Sequence, residues 1–328
     1  MKVTVERSGF LATVQDLGRL GHRESGVAAS GALDPHALRV ANLLVGNGPE
    51  CAGLEATFGQ LRLRIADERL IAWCGGGFEV QIGSSKIPPG RAALLHPGGE
   101  LIISAPARGA RMWLAISGGI DVSLVLGSRS TDLRSGFGGL EGRPLRDGDV
   151  FDLGAESGNA RRVREQLGVN KIGDWFAPQE WASTTPAHPF LRILKGAKWS
   201  RFKEESSSAF IQETFTVMAE SDRMGVRLEG PKLGRGARED ALSETVAPGT
   251  IQVPPSGDPI LLLGDCQTIG GYPKIAHVIT VDLAAAAQLV PGDSVRFAEI
   301  SLAEAHQLLL ERERELRRFR IGLTLRCL

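Results

Sequence analysis

The stretch Ile260-Leu261-Leu262-Leu263-Gly264-Asp265-Cys266-Gln267-Thr268-Ile269-Gly270-Gly271-Tyr272-Pro273-Lys274-Ile275-Ala276-His277-Val278-Ile279-Thr280-Val281 decides the fold class. Residues 260–263 and 277–281 are short, β-rich apolar runs, and a polar loop bearing two adjacent glycines separates them. The same kind of run recurs at 61–65, 100–104 and 112–116. With 41 glycines and 17 prolines to supply turns, the chain reads as mostly β. Many short, closely spaced strands favour barrels or sandwiches.

Outward from that stretch, a few helices interrupt the strands. One follows Asp34-Pro35, with Asp at the N-cap, Pro at the first helical position and a stop near Gly46. A short one is expected over about 282–289, before Pro291-Gly292. The last starts at Ser301, where Glu304 completes a capping box. It is expected to run to about Arg318 as an amphipathic helix with a solvated Glu/Arg face. The segment 154–189 is rich in Ser, Gly, Pro and charge and reads as a linker. The expected organisation is a β-barrel lobe over 1–155, a linker over 156–189, a second lobe over 190–300 and a terminal helix over 301–328. The halves echo each other. Leu145-Arg146-Asp147-Gly148-Asp149-Val150-Phe151 is distantly like Leu289-Val290-Pro291-Gly292-Asp293-Ser294-Val295-Arg296-Phe297, and Ser30-Gly31-Ala32-Leu33-Asp34 is distantly like Ser221-Asp222-Arg223-Met224-Gly225. Turn chemistry alone is able to produce the Gly-Asp match, so duplication and convergence both stay open.

Lys plus Arg and Asp plus Glu both number 38. A zero net charge speaks against a nucleic-acid partner, because phosphate binding needs a basic surplus. Aromatics at 5% leave few stacking platforms. The apolar runs are too short to cross a bilayer, so no membrane association is expected. The N-terminus lacks the apolar core of a signal peptide, and a cytoplasmic location is expected. The cysteines Cys51, Cys74, Cys266 and Cys327 show no CxxC spacing. Reduced thiols without a metal are therefore expected. Cys74 and Cys266 lie beside apolar runs, where a buried free thiol is the common case.

No P-loop, GxSxG elbow or HExxH motif is present. Gly75-Gly76-Gly77 lacks GxGxxG spacing and reads as a tight turn. The loop 264–275 is denser in chemistry than a turn requires. Gly270 and Gly271 allow backbone N–H groups to approach a ligand and form an anion nest, which charge developing on an amide oxygen would need. A second segment, residues 221–230, offers Arg223 as a bidentate clamp for a carboxylate or phosphate. The competing reading of Arg223 is a surface ion pair with Asp222 or Glu229. A third, Val14-Gln15-Asp16-Leu17-Gly18-Arg19 through Asp34, reads as structural, since Asp34 already caps a helix.

At these segments the chain resembles a known family. Thr13-Val14-Gln15-Asp16-Leu17-Gly18-Arg19, Ser30 to Asp34, Ala41-Asn42, Val45-Gly46-Asn47 and Leu54-Glu55 look like its opening signature. Asp222-Arg223-Met224-Gly225 and Pro248-Gly249-Thr250-Ile251-Gln252-Val253-Pro254 are similar to its middle. Gln267-Thr268 and Gly270-Gly271-Tyr272-Pro273 look like its closing signature. It is the allophanate hydrolase subunit 2, or biotin-dependent carboxyltransferase, family. The family includes the C-type subunit of 5-oxoprolinase, the antagonist of a sporulation kinase inhibitor, and part of urea carboxylase. The resemblance extends to about Phe297. It implies two cyclophilin-like β-barrel lobes and a companion subunit of the Kip-inhibitor type (the B type of 5-oxoprolinase), with the A-type subunit of that enzyme as a further partner. It also implies ATP-dependent hydrolysis of 5-oxoproline to glutamate, with ATP bound by or shared with the partner subunits.

Two other roles follow from the same resemblance. One is the carboxyltransferase of a urea amidolyase system, which needs a biotin carrier and a biotin carboxylase; the chain has no Met-Lys-Met site and no ATP-grasp-sized domain. The other is a non-enzymatic antagonist of a kinase inhibitor. The chain departs from the family at Asp222, where Asn is expected. Both family chemistries act on an amide or lactam, so charge must be stabilised on the carbonyl oxygen and a proton managed at nitrogen. On residue chemistry, Asp265 is the candidate base or orienting group. Gln267 and Thr268 would hydrogen-bond the substrate, Gly270 and Gly271 would supply N–H donors, and Arg223 would clamp. Tyr272 or Lys274 would act as acid or charge clamp.

Overall fold

The computed structural model describes residues 2–168, 171–183, 190–236 and 243–326. The chain forms two compact units. One comprises Met1–Arg19, Ser30–Thr185 and Glu315–Leu328; the other comprises Leu20–Ala29 and Pro186–Arg314.

In the first unit the expected barrel takes the form of a seven-stranded and a five-stranded sheet. One core draws on both sheets: Val3, Val5, Leu61 and Leu63 from the larger, Leu54, Trp73, Met112 and Leu114 from the smaller. Strand Leu61–Ile65 alternates buried Leu and Ile with exposed Arg, the period-two pattern of a half-solvated strand. Strands Arg69–Gly75 and Arg111–Ile116 are instead buried throughout. Helix Pro35–Leu44 packs against both of them. That helix begins where the sequence indicates, with the Ala37 N–H donating to Asp34 Oδ1 at 3.0 Å.

Residues 156–183 carry helices Gly158–Leu167 and Gln179–Ala182 where the sequence suggested a linker. The reason is an apolar stripe hidden among charges: Ala160, Val163 and Leu167 are buried, and Ser157 caps the helix by accepting from the Ala160 N–H. The N–H groups of Leu94 and Gly173 donate to Lys171 O and Ala92 O, both at 2.8 Å, and join this segment to the first unit's sheet edge. Residues 184–189 lie outside the described residues.

The second unit contains a closed barrel of seven strands. Its order is Phe190–Lys195, Lys274–Val278, Thr250–Gln252, Ile260–Leu262, Gly225–Glu229, Phe215–Val217 and Ser294–Glu299. A parallel pairing between the last and the first closes it. Phe210 of helix Glu204–Gln212 packs with Phe215 and Phe297 of the barrel strands in a buried aromatic cluster. The strand expected at 277–281 lies earlier, at Lys274–Val278, because pairing of Gln252 with Lys274 begins directly after Pro273. Thr280–Asp282 is a 3₁₀ turn leading into the short helix Leu283–Ala286.

The terminal helix, Leu302–Arg326, has the expected capping box. Glu304 Oε2 accepts from the Ser301 N–H at 2.8 Å, and the Glu304 N–H donates to Ser301 Oγ at 3.2 Å. It outruns Arg318 because Leu316 is buried and Phe319 packs edge-on against Trp181, with ring centroids 5.7 Å apart. No helix among the described residues is long and apolar enough to cross a membrane.

The echo between the halves has a structural counterpart. The Val5 N–H donates to Asp149 O and the Gly148 N–H to Val5 O. The Val217 N–H donates to Asp293 O and the Gly292 N–H to Val217 O. Gly148 (φ 85°) and Gly292 (φ 90°) take the left-handed conformation that such a turn demands of glycine.

Candidate functional site

The loop 263–273 joins two barrel strands, Ile260–Leu262 and Lys274–Val278, so its ends are fixed by pairing on both sides. Asp265 is buried and meets Arg223, also buried: Arg223 Nε lies 2.9 Å from Asp265 Oδ2 and Nη2 lies 3.2 Å from Oδ1. The Asp265 N–H donates to Arg223 O at 3.1 Å. Two sequence candidates thus come together as a bidentate ion pair. Arg223 pairs with neither Asp222 nor Glu229 as a surface partner. The Asp222 carboxylate closes the preceding turn, its Oδ1 accepting from the Met224 N–H at 2.7 Å and the Gly225 N–H at 3.2 Å. An Asn oxygen performs the same task, which accounts for tolerance of Asp at this position.

Beyond Asp265 the loop presents side-chain amides. Gln267 Nε2 lies 3.3 Å from Gln252 Oε1, and Gln252 Nε2 donates to Tyr272 O at 3.2 Å. A Cβ at Gly270 would sit 2.7 Å from Gln252 Nε2 and 3.3 Å from Gln267 Nε2, so a side chain here would shift the amide of Gln252. Thr268 is buried, and its carbonyl accepts from the Val246 N–H. Tyr272 is exposed, and Gly271 is exposed beside it. Lys274 is anchored on its strand: Nζ donates to Thr245 O at 3.0 Å and pairs with Glu244 Oε2 at 2.8 Å.

Four neighbours of the site carried no assigned role in the sequence. Gln252 lies within a quoted motif. Glu244, Lys198 and Arg23 had no local signal at all. Lys198 Nζ pairs with Glu244 Oε1 at 2.5 Å. Lys198 and then Lys274 hold the Glu244 carboxyl down at about 2. Arg23 Nη2 donates to Val246 O and, at 3.4 Å, to Gln267 O. Burial pushes the Cys266 thiol up, against the pull of the Arg23 guanidinium. Burial also lowers His277 from its usual value.

In the first unit, the signature carboxylates serve the fold. Asp16 accepts from Ser128 Oγ, Ser130 Oγ and the N–H groups of Gly18 and Arg129, all within 2.8 Å. Glu55 Oε2 accepts from the Leu33 N–H and Trp113 Nε1, each at 2.9 Å. Cys74 and Cys266 are buried thiols, as their apolar flanks indicate, and Cys51 is half-buried. Cys327 lies outside the described residues.

The chain is 39% identical to the C-type subunit of 5-oxoprolinase from Escherichia coli over 94% of both chains. It is 32% identical to urea amidolyase of Lachancea kluyveri over 93% of this chain, but spans only 17% of that protein. The crystal structure of the K. lactis urea amidolyase superposes with a TM-score of 0.88 at 29% identity, covering 97% of this chain and 20% of that one. Residues 25–299 match the carboxyltransferase domain, subdomain A and B, and the chain belongs to that family.

Proposed function

We propose that the chain is the C-type subunit of an ATP-dependent 5-oxoprolinase, acting in the cytoplasm with a companion of the Kip-inhibitor type and with an A-type subunit. The observation that carries this reading is the pair of side-chain amides, Gln252 and Gln267, meeting beside Gly270 on a loop held by the Arg223–Asp265 ion pair. Amides offer both donors and acceptors, which suits a lactam with its N–H and C=O. In this reading Gln267 and Thr268 bind the lactam, and the Gly271 N–H faces the carbonyl oxygen as charge develops on it. Gly270 contributes by lacking a side chain.

Asp265 is a positioning residue, because Arg223 engages both of its oxygens. Arg223 gives Nε and Nη2 to that pair and in this reading is a positioning residue as well. Tyr272, the exposed phenol of the loop, delivers the proton to the lactam nitrogen. Water adds across the C–N bond: its oxygen goes to the carbonyl carbon, a hydrogen goes to nitrogen, and glutamate results. ATP, bound by or shared with the partner subunits, would supply the free energy, a second water being consumed as ATP goes to ADP and phosphate in a step coupled to ring opening. The assay is conversion of 5-oxoproline to glutamate by the chain reconstituted with its companion subunits. Glutamate formation that requires ATP and all the subunits supports the reading. A complete complex that forms none overturns it.

The TM-score of 0.88 to a urea amidolyase favours a second reading, a carboxyltransferase served by a separate biotin-carrying chain. Carboxylation of urea from carboxybiotin by the same preparation would replace the first reading with this one.

A further inference from the structure

Cations gather on the short strand Glu244–Thr245, which pairs antiparallel with Ile269–Gly270 of the site loop. Lys198 and Lys274 take the two oxygens of Glu244, at 2.5 and 2.8 Å. Arg23 reaches the carbonyl of Val246, two residues on. Arg223 is neutralised by Asp265. Among the described residues, three cations therefore face one carboxylate around residues 244–246, and Glu244 is the carboxylate in ion pairs with Lys198 and Lys274. The turn that carries Lys198 is fixed to the strand leaving the loop, with the Gly196 N–H donating to Ile275 O at 2.8 Å. A side chain at Gly196 would collide with Lys274 O at 2.5 Å. Lys198 is thus held beside Lys274 by the backbone.

An ammonium group has three N–H donors. Lys274 uses two, on Thr245 O and Glu244, and Lys198 uses one, on Glu244. The lysine side chains are 17% and 25% exposed, so both heads keep access to solvent. A second carboxylate bridging the two ammonium groups would complete an alternating arrangement of four charges. Partial exposure screens such contacts, and their main effect is choice between charged and neutral ligands.

We propose that Lys198 and Lys274 form a subsite for the carboxylate of the substrate, so that the site takes an anionic lactam in preference to a neutral amide such as urea. The proposal rests on the reading of the 263–273 loop as a lactam site. It makes Lys198 a specificity-determining residue that the sequence did not single out.

The test uses the chain co-purified with its companion subunits. Binding of 5-oxoprolinate and of pyrrolidin-2-one, the same ring without the carboxylate, is measured by calorimetry beside steady-state turnover and thermal melts. The wild type should hold the carboxylate-bearing lactam about tenfold tighter or better. Lys198→Gln should remove most of that preference and raise KM about tenfold with kcat nearly unchanged, while Lys198→Arg keeps both. A wild type without preference for the carboxylate overturns the proposal. So does a Lys198→Gln variant that binds 5-oxoprolinate like wild type or weakens both lactams equally. A carboxylate preference lost in Lys198→Gln, in a complex that makes no glutamate, would remove the hydrolase reading and leave the anion subsite standing.

Discussion

At the scale of single residues, the Arg223–Asp265 pair changes what a substitution tests. In isolation, Asp265→Asn looks like the loss of a base from a loop that still folds. With both partners buried and bidentate, the substitution instead takes from a buried guanidinium the carboxylate it holds at two points. Breaking a buried pair costs about 3–5 kcal/mol, whereas replacing both partners by apolar residues costs far less. Asp265→Asn should therefore lower stability by that amount in denaturant titrations, and Arg223→Met/Asp265→Leu should recover much of it. His277 gives a pH signature. Burial lowers its folded-state pKa below the unfolded value, so the unfolded chain binds the proton more readily. Its stabilising contribution is complete above the unfolded value, about 6.5, and is lost as pH falls below it. Melts at pH 7.5 and 5.5 should show a smaller drop for His277→Asn than for wild type. The residues that emerged only from the structure share a cause. Arg23 meets Val246 across 223 positions of sequence, and nothing local marks a side chain whose partners are so distant.

At the scale of elements, the strand–loop–strand reading held because apolar runs flank a loop of distinct chemistry, and the barrel fixes both ends. Its three-residue error at the leaving strand came from treating Lys274 as loop chemistry. A lysine also fits a strand whose outer side reaches a carboxylate. The helix Gly158–Leu167 was missed for the opposite reason. Its three buried residues are outnumbered by Arg, Gln, Asn and Glu, so composition hid the periodicity. Gly270 belongs at this scale too, because its effect passes through a neighbouring strand. Gly270→Ala would press on Gln252 Nε2, the end of a buried side chain that must shift to make room. Displacing a group by an ångström costs on the order of 10²-fold in rate. Activity of the reconstituted complex should fall to that extent, with a melting temperature close to wild type. A variant equally active would show that the Gln252–Gln267 pair is dispensable.

At the scale of the whole molecule, neither unit is a continuous piece of chain. Residues 20–29 belong with the barrel, and residues 315–328 belong with the two-sheet unit. The last turns of the terminal helix bring Leu316 into a buried position, Phe319 onto Trp181, and Arg326 onto Asp174 at 2.8 Å. A chain cut after Arg314 should lose about 2–5 kcal/mol from the first unit, the usual cost of removing large buried side chains. Calorimetry of the shortened chain would show that transition at lower temperature, and an unchanged trace would contradict it. The split membership of the terminal helix also sets an order of events during synthesis. The barrel's earliest piece, residues 20–29, leaves the ribosome long before the strands it joins. The two-sheet unit has almost all of its strands early but receives its closing residues only after the entire barrel has been translated. A protein built this way does not fold as a growing series of finished domains: the part made first is the part completed last.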